Sequence, residues 1–235
     1  MAAAAAEDWE DRNVALPLAP QLIVNSRMLY FCWVPEDPTA AAALLPEGLE
    51  PAENQAIFIN QYVVDRDDQT SHFGAYSLTY AGLDLAGLDL EDGTPGRWWS
   101  HYLNSNPVMC DYAAKRGVPA VPGRTTLDLD GDRVTATTYD AGDRAIIRSV
   151  ARVGSGLAET ARGHLRYITA VDGRLMSGNY AYVGEISDDF ELLSLEFPAP
   201  DHSCNALRPA SPLEVTFGFY GPRVSFCYPG GDGPL

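Results

Sequence analysis

Lys115 is the only lysine in a chain of 235 residues, so chemistry that needs a side-chain amine has one candidate. It stands beside Arg116 in the last turn of a helix-like stretch, where the structural reading has both cations meeting C-terminal carbonyls and water. The catalytic reading makes Lys115 a Schiff-base nucleophile. His72, His101, His164 and His202 are scattered without metal-ligand spacing and read as loop or surface residues. His101 has the best case for acid–base work. Cys32, Cys110, Cys204 and Cys227 lie far apart with no CxxC pair, which argues against zinc and for buried, reduced thiols. No nucleophile elbow, phosphate loop or dinucleotide-binding glycine pattern is present, so no cofactor is expected. Phenols remain. The chain has 12 Tyr, with 8 Phe and 4 Trp, gathered in strand-like segments. Most are expected in the core, but a tyrosine hydroxyl directed into an apolar cavity is a strong hydrogen-bond donor to a carbonyl.

The elements that would carry these groups are mainly strands. Leu22–Trp33 reads as the first; Asp37-Pro38 caps a short helix that Pro46 and Gly48 close. Ala56–Asp65 and Phe73–Ala81 read as strands around a polar loop, and AGLDL occurs twice just after, too short an echo to be a repeat. Asn106 is a good N-cap, Pro107 suits the first helical position and Gly117 the left-handed terminus, so a helix is expected over Val108–Arg116, with a Pro/Gly-rich turn over 117–123. Beyond it, Thr125–Leu129 and Arg133–Tyr139 flank Asp130-Gly131-Asp132 as a hairpin, and Asp172-Gly173 makes a second tight turn. Ala145–Val153, His164–Val171, Arg174–Val183, Glu191–Phe197, Leu213–Tyr220 and Arg223–Tyr228 complete about ten strands. The fold expected is mainly β, of the α+β type: an antiparallel barrel with two or three short helices. Residues 1–20 read as a flexible N-terminal arm, with Trp9 unplaced, and 21–235 as one barrel domain.

A net charge of −16 makes nucleic acid an unlikely partner. With no apolar run approaching 18 residues and acidic residues near the start, neither a membrane span nor a leader is expected, and the chain reads as cytoplasmic.

Two stretches carry a family resemblance. Tyr102–Gly123, YLNSNPVMCDYAAKRGVPAVPG, resembles the strand end, helix and Pro-Lys-Lys turn of acetoacetate decarboxylases, and LLPEGLEP at residues 44–51 resembles their segment before the next strand. The resemblance implies that family's barrel. It also implies a Schiff-base lysine pair, yet those positions hold Ala120 and Val121. The family's substrate-binding arginine falls near Arg27, its strand acids near Gln61 and Leu78, and its helix acid near Ala114. The resemblance thus implies a pocket without the amine or its tuning carboxylates, lined by Arg27, Leu78, Tyr102, Tyr112, Ala120 and Val121. Tyr62, Tyr76 and Gln61 would supply its catalytic hydrogen bonds. The function implied is tailoring of an apolar, polyketide-like small molecule by cyclisation, a [4+2] closure included, by isomerisation or by dehydration, without a Schiff base. The alternatives are a non-catalytic carrier of an apolar ligand and a β-keto acid decarboxylase using Lys115. The family also implies assembly into a homo-oligomer, for which the sequence carries no interface signature.

Overall fold

The computed structural model describes residues 20–228 and 232–235. The expected N-terminal arm, except Pro20, and Trp9 lie outside the described residues. Strands β1 (Gln21–Trp33), β2 (Ile57–Val64), β3 (Tyr76–Asp84) and β4 (Gly96–Asn104) form an antiparallel run. A first helix, α1 (Pro38–Ala42), leads out of β1, with Asp37 Oδ1 accepting from the Ala40 amide at 3.0 Å as an N-cap. Past β4 come α2 (Pro107–Ala114), β5 (Ala120–Asp130), β6 (Arg133–Asp140) and β7 (Ala145–Val153), followed by β8 (Leu157–Val171) and β9 (Arg174–Ser187). The chain finishes with β10 (Phe190–Glu196), β11 (Val215–Tyr228) and β12 (Gly233–Pro234).

Seven strands close on themselves in the order β1-β2-β3-β4-β8-β9-β11 and back to β1. The joint between β4 and β8 is parallel and joins Gly96–Trp98 to Arg166–Ile168. The other end of β4, Tyr102–Asn104, pairs in parallel with Ala120–Pro122. A parallel neighbour needs a crossover, and α2 supplies it. Asn106 accepts from the Val108 and Met109 amides at 2.9 and 3.2 Å, and Gly117 follows the helix at φ +76°, where an added Cβ would lie 2.2 Å from the Ala170 carbonyl oxygen. The segment 117–123, expected as a turn, therefore becomes strand from Ala120 onward. The expected break at Gly221-Pro222 is also absent, since β11 runs through it as one strand.

Strands β5, β6, β7 and β10 form a second, antiparallel sheet laid against the outside of β1–β3. Alternation along each strand separates two cores. Leu29, Phe31, Trp33, Ile57, Ile59 and Leu83 face the second sheet and meet Leu127, Val134, Ile146 and Ile147. Met28, Tyr30, Phe58, Tyr62, Tyr76, Leu78 and Tyr80 point into the barrel. Because β3 is covered on both faces, all nine of its residues are buried.

Candidate active site in the barrel

The barrel interior has one filled end and one open end. At the filled end Ala120, partly buried, packs against the interior cluster and pairs with Tyr102. Val121 points outward and is 49% exposed, so it does not line a pocket as expected. The space next to Tyr102 and Tyr112 is about 20 Å3. Trp99 and Tyr167, stacked at 4.7 Å, occupy the rest with Tyr228, and the Tyr167 hydroxyl donates to Asp232 at 2.7 Å. Tyr167 fits there because its cross-strand partner is Gly178, where a Cβ would lie 2.1 Å from the ring. A water-sized group fits at this end; a substrate does not.

At the open end a cavity of about 400 Å3 reaches the surface between the turn Asp92–Pro95, Gly163, His164 and Phe217. That volume lies in the range of small-molecule sites. Its walls include Met28, Tyr30, Asn60, Tyr80, Arg97 and Tyr180. Arg97 donates through Nε to Asp84 at 2.9 Å, and its guanidinium lies 5.6 Å from the Tyr30 ring centre and 5.2 Å from that of Phe58. Burial opposes its charge, but the Asp84 carboxylate beside it holds it protonated. Burial also pulls the Asp84 carboxyl above the usual range, while Arg97 pulls it back.

A second polar set crosses the cavity. The Asn60 side chain is buried, its Nδ2 lying 2.8 Å from the Tyr80 hydroxyl and 3.5 Å from the Met28 sulfur. A thioether has no hydrogen to give, so the group facing it is the amide N–H. The Tyr80 hydroxyl accepts that hydrogen and lies 2.9 Å from the Tyr180 hydroxyl. Whichever phenol donates to the other, one phenolic hydrogen of the pair is left for the cavity, polarised by the chain behind it. Burial raises both phenols, so they remain neutral donors at ordinary pH.

The residues singled out in the sequence are divided among three places. Tyr62 and Tyr76 lie inside the barrel with their hydroxyls 2.6 Å apart, bonding each other, and border neither space; Leu78 is fully buried near them. Gln61 is not in the barrel. It faces the second sheet, donating to Thr138 Oγ1 at 2.9 Å and accepting from Ser149 Oγ at 2.7 Å, because one step along a strand reverses the face. Arg27 is also outside, ion-paired to Asp65 at 2.6 Å and donating to the Leu127 carbonyl. Lys115 caps α2 on the surface, 3.0 Å from Asp111, with its side chain 59% exposed. His101 faces away from the cavity, with Nε2 2.9 Å from Ser203 Oγ, and burial, helped by His202, pushes it down to about 4.

Arg97, Asn60, Tyr80 and Tyr180 were missed as a set. The signal was available: RWWSHYL places an arginine in an apolar strand, and such an arginine needs a buried acid, which Asp84 on the adjacent strand provides.

No protein-family model and no curated protein sequence matches the chain. Solved structures match it in fold. The enduracididine biosynthesis enzyme MppR superposes with a TM-score of 0.66 at 16% identity, over 96% of this chain and 90% of that one. An acetoacetate decarboxylase-like enzyme from Sphingomonas wittichii RW1 gives 0.64 at 16% identity, over 94% and 95%. The acetoacetate decarboxylase of Legionella pneumophila gives 0.62 at 14% identity, over 96% and 94%.

Proposed function

We propose that this chain, an acetoacetate decarboxylase-like fold whose barrel holds no lysine, is a tailoring enzyme that cyclises an apolar, polyketide-like small molecule without a Schiff base. One observation carries the reading: the open cavity of about 400 Å3 joins aromatic walls to a charged guanidinium and a pair of neutral phenols. The only lysine stands on the surface. Such a site can hold a flexible chain in a reactive fold while Arg97 and the phenol pair polarise a carbonyl. A [4+2] or related closure needs nothing more, because bonds form and break within one molecule and no proton, electron or group leaves it. Isomerisation at the same carbonyl would use the same donors, and dehydration would release one water. The biosynthetic role of MppR, a protein of the same fold, agrees with this setting.

The test is incubation with linear polyene ketones, followed by chromatography and mass spectrometry. A new product of unchanged mass whose formation saturates with substrate, and which Thr94→Trp at the cavity mouth abolishes without altering the melting curve, supports the reading. Substrate recovered unchanged from a stable complex would assign a carrier instead. Loss of carbon dioxide, with a borohydride-trapped adduct on Lys115, would assign a decarboxylase.

A further inference from the structure

His101 has the best case for acid–base work in the sequence, and the barrel cavity does not use it. Trp99 and Tyr102 point into the barrel, whereas His101 between them is turned outward, under the single 3-10 turn Ser203–Leu207. Ala81 and Gly82 on β3 pair with His101 and Trp99, so Ser100 is an extra residue in β4, a bulge that re-aims its side chain. The Ser100 hydroxyl donates to the Ala81 carbonyl at 3.2 Å and lies 3.0 Å from His101 Nδ1.

The tautomer follows from a count of hydrogens. A hydroxyl has one, and Ser100 gives it to a carbonyl that can only accept, so Ser100 in turn accepts from Nδ1–H. Burial, helped by His202, keeps the imidazole neutral at ordinary pH. It then carries one N–H, and Nε2 bears a lone pair. Facing that lone pair at 2.9 Å is the hydroxyl of Ser203, an exposed residue. A nucleophile, a base within hydrogen-bond reach and a third group orienting the base are the parts of nucleophilic catalysis, here with a serine as the orienting group. Arg144, close to His202, is held by Asp140 and Asp201. Its charge is already matched, so an anionic substrate would gain nothing from it and would meet the Asp201 carboxylate.

We infer that Ser203 and His101 form a second site, on the outside of the barrel, at which Ser203 takes the acyl group of a small uncharged ester. As the Oγ–C bond forms, the hydroxyl proton passes to Nε2. The carbonyl re-forms as the C–O bond to the leaving alcohol breaks, and the alcohol departs with that proton. Water attacking by the same route releases the acid and restores Ser203. Diisopropyl fluorophosphate tests this, because it traps such a serine by forming an O–P bond as fluoride leaves, and peptide mass spectrometry locates the adduct. At pH 7.5 Ser203 should be labelled at least about tenfold faster than Ser211, an exposed serine outside the cluster. The same treatment should block release of p-nitrophenolate from p-nitrophenyl acetate. Equal labelling of the two serines, or ester cleavage undiminished once Ser203 is labelled, overturns the inference on the wild-type protein alone, whatever the folding of any variant. His101→Gln should slow the labelling about a hundredfold, the scale of a general base. Ser100→Ala should slow it about tenfold and Ser100→Thr restore it, since the hydroxyl is what fixes the tautomer. Labelling that neither His101→Gln nor Ser100→Ala slows would also overturn the inference.

Discussion

Arg97 and Asp84 form the ion pair at the cavity wall, with side-chain exposures of 14% and 12%. Removing one partner strands the other, so Arg97→Met should cost roughly 3–5 kcal/mol in urea denaturation. The double variant Arg97→Met, Asp84→Asn should recover most of that stability and still lose turnover about a hundredfold, the scale of one carbonyl-polarising donor. Equal turnover in the double variant and the wild type would remove Arg97 from the chemistry. His101 makes a separate prediction. Its folded value of about 4 lies below its ordinary 6.5, so the folded state takes up fewer protons than the unfolded one. Stability should therefore be complete above pH 6.5 and fall as pH drops towards 4, by up to about 3 kcal/mol. His101→Gln should flatten that part of a stability profile measured by urea denaturation. At this scale the sequence was partly misleading. Tyr62 and Tyr76 lie inside the barrel but bond each other away from the cavity, and Gln61 and Arg27 sit one strand step out of phase, where alternation turns a one-residue error into the opposite face.

The helix α2 shows what local chemistry can and cannot specify. Its cap at Asn106, its proline at the first position and its glycine terminus are all chain-local signals, and each is realised. Asn106→Ala should cost about 1 kcal/mol through two lost capping bonds. Gly117→Ala should cost more, because it adds strain at positive φ to a contact with the Ala170 carbonyl. Thermal melts of both variants give the order; Asn106→Ala proving the more damaging would contradict it. The two tight turns were equally legible. Val171 and Arg174 pair across Asp172-Gly173, both at positive φ, as a type I′ turn requires. What could not be read was the pairing of β4, since Gly96–Trp98 meets residues about 70 positions later and no local pattern announces a parallel neighbour.

At the scale of the molecule, the barrel was foreseeable from the number of short strands, whereas the division of those strands into a seven-stranded barrel and a covering sheet, and the reversal of the barrel's ends, were not. The resemblance pointed to the end beside Ala120, which aromatic side chains fill, while the usable volume lies at the other end. Volume is set by side chains from several strands at once, so neither composition nor spacing reports it. The joint between β4 and β8 carries a further consequence. It holds three residue pairs, against thirteen between β8 and β9, and it begins at Gly96, adjacent to the cavity mouth at Thr94 and Pro95. The barrel is thus fastened most weakly where a ligand must pass, and local opening of that seam would set how long a bound molecule stays. Deuterium should enter the amides of Arg97 and Tyr167 well before those of Tyr30 and Asn60, and a tight occupant of the cavity should slow the first pair most. The same short seam would then act as a clock for release, independent of how tightly the walls grip.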